Sequence, residues 1–237
     1  MKRFAIILVT ILSLLLITGC TNEETTTHTA RPTKPTTVPI TARPTKPTTV
    51  PVVFEKGEKP QYEIKLSNGK SIKVELYPDI APITVTNFAN LVNQKFYDGI
   101  VFHRIIANFM IQTGGFVLEN AGTSKEKLTE KEAETIKGEF SLNNVENNIE
   151  HLPGVISMAR ATSYNSASSQ FFICVDDERA SLDGSYAAFG KTIDEDSLNN
   201  AIEISKVSTT SKTFNGTKYS DFPVKPIFIE SIRRIDK

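Results

Sequence analysis

The residues best suited to chemistry lie close together in one block, which reads FHRIIANFMIQ at 102–112. In this block Arg104 precedes Gln112 by eight residues, with Phe109 and Met110 between them. A guanidinium stays charged and presents its donors in a rigid fork, so Arg104 can stabilise a lone pair or a negative charge on a bound ligand. Taken singly, however, an arginine indicates a solvated surface charge, and a phenylalanine or methionine indicates core packing.

Two further blocks of this kind follow along the chain. One runs from PGVISMAR at 153–160 into NSASSQFFI at 165–173, and the other reads LDGSYAAFGK at 182–191. Together with the first block, and in the same order, they resemble the signature of the cyclophilins, the cyclosporin-binding class of peptidyl-prolyl isomerases. The resemblance extends from about Tyr62 to Ile235. Three ordered blocks of this length make coincidence negligible.

The resemblance implies a complete set of site residues. Arg104 is the implied catalytic residue. Four apolar side chains would line a proline pocket, one glutamine would hold the substrate backbone and a second would support the site. Three consecutive residues would flank the amino acid before proline, and a tyrosine would stand at the pocket rim. The implied substrate-binding residues are Phe109, Met110, Gln112, Ala159, Arg160, Ala161, Gln170, Phe172, Leu182 and Tyr186.

The chemistry of the reaction suits these residue types. Rotation about an Xaa-Pro amide makes and breaks no covalent bond, so we expect no nucleophile, metal ion or cofactor. The obstacle is amide resonance, a barrier of about 18–20 kcal/mol. In the twisted transition state the prolyl nitrogen regains a lone pair, and a donor aimed at it acts only in that state. Arg104 is the candidate donor. The alternative function is a non-catalytic module that binds proline-containing segments, and the joint retention of Arg104, Phe109, Met110, Gln112 and Phe172 favours catalysis.

The sequence departs from the family pattern in three places. Ser181 stands where the vertebrate pattern has a tryptophan beside the cyclosporin site, so we expect weak cyclosporin binding. Tyr186 replaces a histidine of the pocket rim and keeps an aromatic wall with a hydrogen-bonding tip. Thr113 is an apparent one-residue insertion directly after Gln112. It leaves two outcomes open, a displaced Gln112 or a local bulge of the loop.

The elements that would position these residues are mostly β-strands. Apolar alternation predicts strands over 62–66 and 72–76, joined at Asn68-Gly69, a strong hairpin signal because both turn positions favour positive φ. Pro82 begins a helix with apolar residues at helical spacing, and a second amphipathic helix is expected at 197–206. Further short strands are predicted at 101–106, 155–159, 170–175, 187–191 and 226–235.

The segment 119–150 is charged and weakly patterned, so we predict a loop there with one short helix. Many short strands separated by turn signals indicate a sandwich or a barrel. With the family resemblance, the predicted fold class is mainly β, a closed eight-stranded antiparallel barrel capped by two helices. We assign residues 61–237 to this isomerase domain.

The amino terminus resembles a bacterial lipoprotein signal. Lys2 and Arg3 precede an apolar run from Phe4 to Ile17, whose 14 residues would span about 21 Å as a helix, short of the roughly 30 Å hydrocarbon core. A secretory signal over residues 1–19 fits better than a membrane span. The run ends in LITGC, which resembles a lipobox, so we expect lipidation at Cys20; a plain cleaved signal with a chance cysteine is the alternative.

Residues 20–60 are predicted to be a tether. The segment TARPTKPTTVP occurs at 29–39 and again at 41–51, a tandem repeat with a period of 12 residues. Its threonine and proline content cannot form a packed core and favours an extended chain, partly polyproline II. A spacer is the favoured interpretation, and a proline-rich ligand for another protein is the alternative.

Composition limits the classes of partner that the protein is expected to bind. The 27 basic and 27 acidic residues leave no basic surplus, which argues against nucleic-acid binding. The two cysteines and three scattered histidines have no metal-ligand spacing, and Cys174 is expected to be a buried free thiol. We therefore expect a monomer that is lipid-anchored to the bacterial cell membrane, outside the cytoplasm. Its expected partners are proline-containing unfolded or exported polypeptides, whose folding it would assist.

Overall fold

The computed structural model describes residues 52–236. The signal at 1–19, Cys20 and the repeat at 29–51 lie outside the described residues. The strands are β1 (Gln61–Leu66), β2 (Ser71–Leu76), β3 (Arg104–Ile106), β4 (Met110–Thr113), β5 (Phe116–Glu119), β6 (Lys127–Glu130), β7 (Val155–Met158), β8 (Phe171–Cys174), β9 (Ala188–Thr192), β10 (Thr209–Phe214), β11 (Thr217–Pro223) and β12 (Ile229–Arg234). The α-helices are α1 (Pro82–Asn93), α2 (Arg179–Leu182) and α3 (Glu195–Ser205), and a short 3-10 helix at Ser141–Asn143 lies within the segment 119–150, where one short helix was predicted.

Eight strands form one antiparallel sheet in the order β12-β1-β2-β9-β7-β8-β4-β3. The sheet curls into an open half-barrel, and the predicted closure of the barrel is not confirmed. Within residues 52–236 no continuous ladder joins the outer strands β3 and β12. The chain before β3 meets the start of β12 through an isolated bridge between Val101 and Phe228 and through single backbone hydrogen bonds, such as the one from the Phe102 amide to the Ile227 carbonyl at 3.0 Å. The backbone pairing with the chain at the start of β12 ends at Phe102, before β3 begins at Arg104.

The β1–β2 hairpin forms where the alternation predicted it, with Tyr62, Ile64 and Leu66 buried. Its turn differs from the predicted one. Of the two turn residues only Gly69 has a positive φ, of 81°. The amide of Leu66 donates to the carbonyl of Lys70, so three residues form the loop, and glycine supplies its left-handed position.

Helix α1 begins at Pro82 as predicted and buries Val85, Phe88, Ala89 and Val92 against the main core. Its N-cap residue makes no side-chain hydrogen bond, and the buried Glu139 takes over this role. The Glu139 carboxylate accepts from the amides of Ile83 at 3.0 Å and Thr84 at 2.8 Å. A carboxylate at this position also complements the helix dipole.

Of the other two α-helices, the sequence predicted one and missed the other. Helix α3 is the predicted second amphipathic helix, and Asp194 caps it by accepting from the amide of Ser197 at 2.7 Å. Helix α2 is a single turn that the sequence patterns did not predict. Among residues 52–236 no helix is both long enough and apolar enough to cross a membrane.

Two hairpins, β5–β6 and β10–β11, lie outside the eight-stranded sheet. They share a small hydrophobic cluster that includes Leu118, Leu128, Phe214 and Phe222. The β5–β6 hairpin extends into the segment predicted to be a loop, so that prediction is wrong for residues 127–130. Its short, charged strands carry little apolar alternation because few of their side chains are buried, Leu118 and Leu128 in this cluster and Val117 in part against the main core.

The folded unit begins before residue 61. Val52 donates its amide to Asn90 Oδ1 at 3.0 Å, and the side chains of Val52 and Phe54 pack against the main core. The guanidinium carbon of Arg234 lies 5.7 Å from the centroid of the Phe54 ring. Residues 52–60, assigned to the tether on composition, therefore contact the domain.

Candidate active site

A pocket on the outer face of the sheet collects most of the predicted site residues. Nine of them line it: Arg104, Phe109, Met110, Gln112, Ala159, Arg160, Phe172, Leu182 and Tyr186. They come from the β3–β4 hairpin, from the residues directly after β7, from β8, and from the end of α2 and the turn that follows it. The structure therefore places side chains from three separate sequence blocks around one cavity.

Strand pairing explains why these side chains meet. In the antiparallel ladders Gln112 lies opposite both Arg104 and Phe172, and Met110 lies opposite Cys174. Directly opposed residues share one face of a sheet, and residues two apart on a strand share it as well. All five side chains therefore project from the same face, whereas their neighbours on these strands point into the main core.

The floor of the pocket is apolar and tightly packed. Met110, Phe172 and Leu182 form a small cluster with Cys174, and each of the three is at most 6% exposed. Phe109 is half-buried at the edge of this cluster. It follows Asn108, whose φ of 56° is a left-handed turn conformation that asparagine tolerates. Such a floor can accept an apolar ring.

Polar groups stand along one side of this floor. Arg104 Nη1 lies 3.4 Å from Gln112 Oε1, and Gln112 donates from Nε2 to Gln170 Oε1 at 3.0 Å. The guanidinium carbon of Arg104 is 6.0 Å from the centroid of the Phe109 ring. Arg104 is exposed, so its remaining donors are available to a ligand above the pocket.

Arg104 also has an acidic neighbour that the sequence patterns did not reveal. Its Nε lies 3.8 Å from Asp221 Oδ2, on strand β11. Both side chains are substantially exposed, and an ion pair of this kind contributes little to stability. No sequence signal could have linked residues 117 positions apart on a strand that carries no recognised motif.

The rim of the pocket is built around Arg160. Its Nε donates to the carbonyl of Ser185 at 3.0 Å, and its Nη1 donates to the carbonyl of Ala161 at 3.0 Å. Its guanidinium carbon also lies 4.8 Å from the centroid of the Tyr186 ring and 5.1 Å from that of Phe140. Arg160 therefore holds the rim together, and its charge is already surrounded by protein groups.

Two predicted site residues, Ala161 and Gln170, lie in an adjoining depression. It shares Gln112, Ala159 and Arg160 with the pocket and is completed by three residues that the sequence analysis did not select: Glu130, Ser166 and Ser168. Ser166 lies in the second sequence block, which could have suggested it. Glu130 lies on the unpredicted strand β6.

The insertion at Thr113 leaves Gln112 in place. The β4–β8 register continues without a break through Gln112 opposite Phe172 and Thr113 opposite Phe171. Thr113 is buried and donates its hydroxyl to the carbonyl of Val101 at 3.0 Å. The chain then turns at Gly114, which has a φ of 94°. The bend thus falls after the site residue.

The buried polar groups near the site are neutral ones. Burial, assisted by the charge of Arg104, lowers the pKa of His103 to about 4, so this residue stays uncharged at neutral pH. Cys174 is a buried free thiol, as predicted, and burial raises its pKa to about 12. Among residues 52–236 no three side chains of His, Cys, Asp or Glu are arranged to hold a metal ion.

Comparison with known proteins identifies the family of the chain. Residues 61–234 match the family described as "Cyclophilin type peptidyl-prolyl cis-trans isomerase/CLD". The chain is 37% identical over 171 residues to "Peptidyl-prolyl cis-trans isomerase A" of Dickeya dadantii, covering 70% of this chain and 80% of that protein. It is 40% identical over 126 residues to "Peptidyl-prolyl cis-trans isomerase B" of Bacillus subtilis, covering 53% and 78%.

Comparison with solved structures supports the same family. The crystal structure of a cyclophilin type peptidyl-prolyl cis-trans isomerase from Cryptosporidium parvum superposes with a TM-score of 0.58 at 25% identity, covering 76% of this chain and 99% of that one. A second structure of that protein, in the presence of the dipeptide Ala-Pro, gives a TM-score of 0.56 at 26% identity, covering 75% and 99%. The chain belongs to the cyclophilin family and is a peptidyl-prolyl cis-trans isomerase.

Proposed function

We propose that this isomerase binds the proline ring of its substrate on the floor formed by Phe109, Met110, Phe172 and Leu182, with Arg104 acting on the prolyl nitrogen. The observation that carries the proposal is the placement of an exposed guanidinium beside a buried apolar floor. The proline ring needs an apolar surface, and the nitrogen needs a donor only when the amide twists. The Cryptosporidium parvum relative studied with Ala-Pro supports a dipeptide-sized site of this kind.

In this mechanism the pocket lowers the rotational barrier by differential binding. The planar amide offers Arg104 no lone pair on nitrogen, whereas the twisted amide does, so the hydrogen bond strengthens along the reaction coordinate. A turnover on the order of 10³ s⁻¹ requires a barrier about 7 kcal/mol lower than that of the free peptide. One hydrogen bond cannot supply this amount. Ring burial and a fixed substrate backbone must contribute the rest.

The backbone would be held by Gln112, which Gln170 orients through the 3.0 Å hydrogen bond. Ala159, Arg160 and Ala161 would flank the residue before proline, at the passage from the pocket to the adjoining depression. Because Arg160 is already bonded to backbone carbonyls, we assign its role to shaping this passage and not to binding a substrate carboxylate.

The test is exchange spectroscopy on a short, uncharged Xaa-Pro peptide with the full chain and its Arg104→Ala variant. We expect fast cis–trans exchange that falls by about 10²- to 10³-fold in the variant. Arg233→Ala is the matched control, because Arg233 forms an exposed ion pair with Asp98 away from the pocket. Peptide binding without exchange above the uncatalysed rate would support the non-catalytic alternative and overturn the proposed mechanism.

We further propose that the enzyme acts outside the cytoplasm as a monomer, anchored through lipidated Cys20, on proline-containing exported polypeptides whose folding it assists. The lipobox-like LITGC sequence and the threonine- and proline-rich repeat support this location. Metabolic labelling with palmitate tests it. The chain should incorporate label and remain with the membrane, and Cys20→Ser should abolish both properties. An unlabelled, released wild-type protein would contradict the anchor.

Weak cyclosporin binding follows from the same site. Ser181 leaves the Leu182 side of the pocket without the large aromatic surface of the vertebrate pattern. We expect Ser181→Trp to increase cyclosporin affinity and to leave exchange of the Xaa-Pro peptide largely unchanged. Tight binding by the wild-type chain in a calorimetric titration would contradict this expectation.

A further inference from the structure

A buried histidine lies directly behind the pocket and takes no part in the proposed chemistry. The side chain of His151 is 1% exposed. Its Nδ1 lies 2.7 Å from Asp183 Oδ1, and its Nε2 lies 3.0 Å from Ser157 Oγ. The Asp183 carboxylate can only accept, so Nδ1 carries the proton and Nε2 of the neutral ring accepts from the Ser157 hydroxyl.

His151 touches two walls of the pocket through this arrangement. Its ring lies nearly parallel to that of Phe172, with centroids 6.2 Å apart and an interplanar angle of 19°. Asp183 lies in the turn that connects Leu182 to Tyr186. Asp183 Oδ1 accepts a second hydrogen bond, from the amide of His151 at 2.9 Å. One histidine thus backs the floor and anchors the turn that carries two pocket residues.

We propose that His151 is a positioning residue of the isomerase: in its neutral form it holds Phe172 and, through Asp183, the Leu182–Tyr186 turn in the geometry that accepts a proline ring. The inference rests on the proposed role of this pocket as the proline site. Its physical basis is that a pocket wall built on buried, fully satisfied hydrogen bonds cannot shift without leaving polar groups unpaired.

Protonation of His151 would disturb this support. A charged imidazole must donate from Nε2, so the Ser157 hydroxyl has to rotate within a fully buried site opposite Phe172. Burial lowers the pKa of His151 below its ordinary value, and the adjacent Asp183 carboxylate opposes this effect in part. The neutral form therefore dominates at neutral pH, and the charged form becomes populated only as the pH falls.

Several other titratable groups lie near His151 and the pocket. Glu150 precedes it and lies 3.6 Å from Arg179. Glu178 donates its backbone amide to the His151 carbonyl, and Cys174 lies on β8 with its thiol pKa raised to about 12 by burial. Asp221 lies beside Arg104, and Glu130 lines the adjoining depression. A loss of activity as the pH falls, the acid limb of the pH profile, is therefore assigned to the Asp183–His151 pair by its shift in Asp183→Asn.

The test compares the full chain with His151→Asn and Asp183→Asn between pH 7.5 and 4.5, using an uncharged Xaa-Pro peptide. His151→Asn removes the ring that backs Phe172, and we expect a KM about tenfold higher, a kcat changed less, and no acid limb. Asp183→Asn keeps an oxygen that accepts from His151 but removes the charge that favours the imidazolium. We expect its acid limb at lower pH than in the wild type.

The histidine resonances identify the group that titrates. His28, His103 and His151 are the three histidines of the chain, and the His151 signal should titrate with the acid limb and move with it in Asp183→Asn. Asp194→Asn is the matched control, because Asp194 caps α3 by the same type of hydrogen bond away from the pocket. It should leave KM and the limb unchanged.

Two results would overturn the inference: a folded His151→Asn variant with wild-type KM, or an acid limb that is the same in Asp183→Asn. If His151→Asn fails to fold, the pH at which the acid limb of Asp183→Asn appears decides whether the inference stands. Peptide affinity, followed by chemical shifts, should show the same pH dependence as KM. Absence of turnover in the wild type would therefore refute the proposed mechanism and still leave the positioning role measurable.

Discussion

Arg104 and Gln112 are directly paired across β3 and β4, with Arg104 Nη1 3.4 Å from Gln112 Oε1. Gln112 in turn donates to Gln170 Oε1 at 3.0 Å. The three polar side chains form one connected row beside the apolar floor. Orientation of the outermost residue, Arg104, therefore depends on Gln170, which does not itself line the pocket.

Removal of the supporting amide should weaken catalysis without abolishing it. In Gln170→Leu the Nε2 group of Gln112 loses its acceptor, and we expect kcat/KM to fall about three- to tenfold, the equivalent of one hydrogen bond. Exchange spectroscopy on an Xaa-Pro peptide measures the change. Gln94→Leu, an exposed position at the end of α1, is the control, and equal losses in both variants would refute the coupling.

Two effects of adding a Cβ atom at Gly114 should be separable: steric crowding against the neighbouring chain and the strain of a positive φ. Gly114 and Gly122 have φ values of 94° and 78°, but a Cβ at Gly114 would lie 2.5 Å from the carbonyl oxygen of Ser169, whereas Gly122 has open space. We expect Gly122→Ala to cost about 1 kcal/mol of unfolding free energy. Gly114→Ala should cost about 1–3 kcal/mol more. Urea denaturation measures both, and equal losses would contradict the crowding.

Glu139 should act as a distant cap of α1. Its carboxylate accepts from the amides of Ile83 and Thr84 and from the Thr84 hydroxyl at 2.7 Å. In Glu139→Gln one oxygen becomes an NH₂ donor, so a buried donor on the helix loses its partner. We expect unfolding free energy to fall by about 1–3 kcal/mol. Thermal denaturation with Glu132→Gln, an exposed glutamate, as the control tests this, and a Glu139→Gln variant as stable as the control would exclude the capping role.

Stability should decrease in acid because of His103. Burial lowers its pKa to about 4 in the folded state, while the unfolded chain keeps a value of about 6.5. Unfolding therefore takes up a proton between these values, and stability falls as the pH drops from 6.5 towards 4. The full difference corresponds to about 3 kcal/mol. In His103→Gln the decline should be shallower by up to this amount, and parallel stability curves for the two chains would contradict it.

Much of the site was predictable because its residues lie in short contiguous blocks. The spacing from Arg104 to Gln112 spans one hairpin, so local strand pairing brings the two together. The β1–β2 hairpin and α1 were predictable for the same reason, since apolar alternation and a proline at the first helical turn are local signals.

The missed features depend on contacts between distant segments. Asp221 reaches Arg104 from β11, and Glu139 caps a helix that begins more than 50 residues earlier. The hairpins β5–β6 and β10–β11 carry weak patterns because each buries one face on the other, and an ion pair of Lys212 with Glu126 at 2.7 Å joins them.

The sequence by itself determined the family, the reaction and most of the residues that line the pocket, because side-chain chemistry and motif order are properties of single positions. The tertiary structure decided that the sheet stays open, that Thr113 leaves Gln112 in register, and that His151 stands behind Phe172. These outcomes depend on which long-range contacts form together. Their free energies come from burial and hydrogen bonding between segments that no local pattern connects.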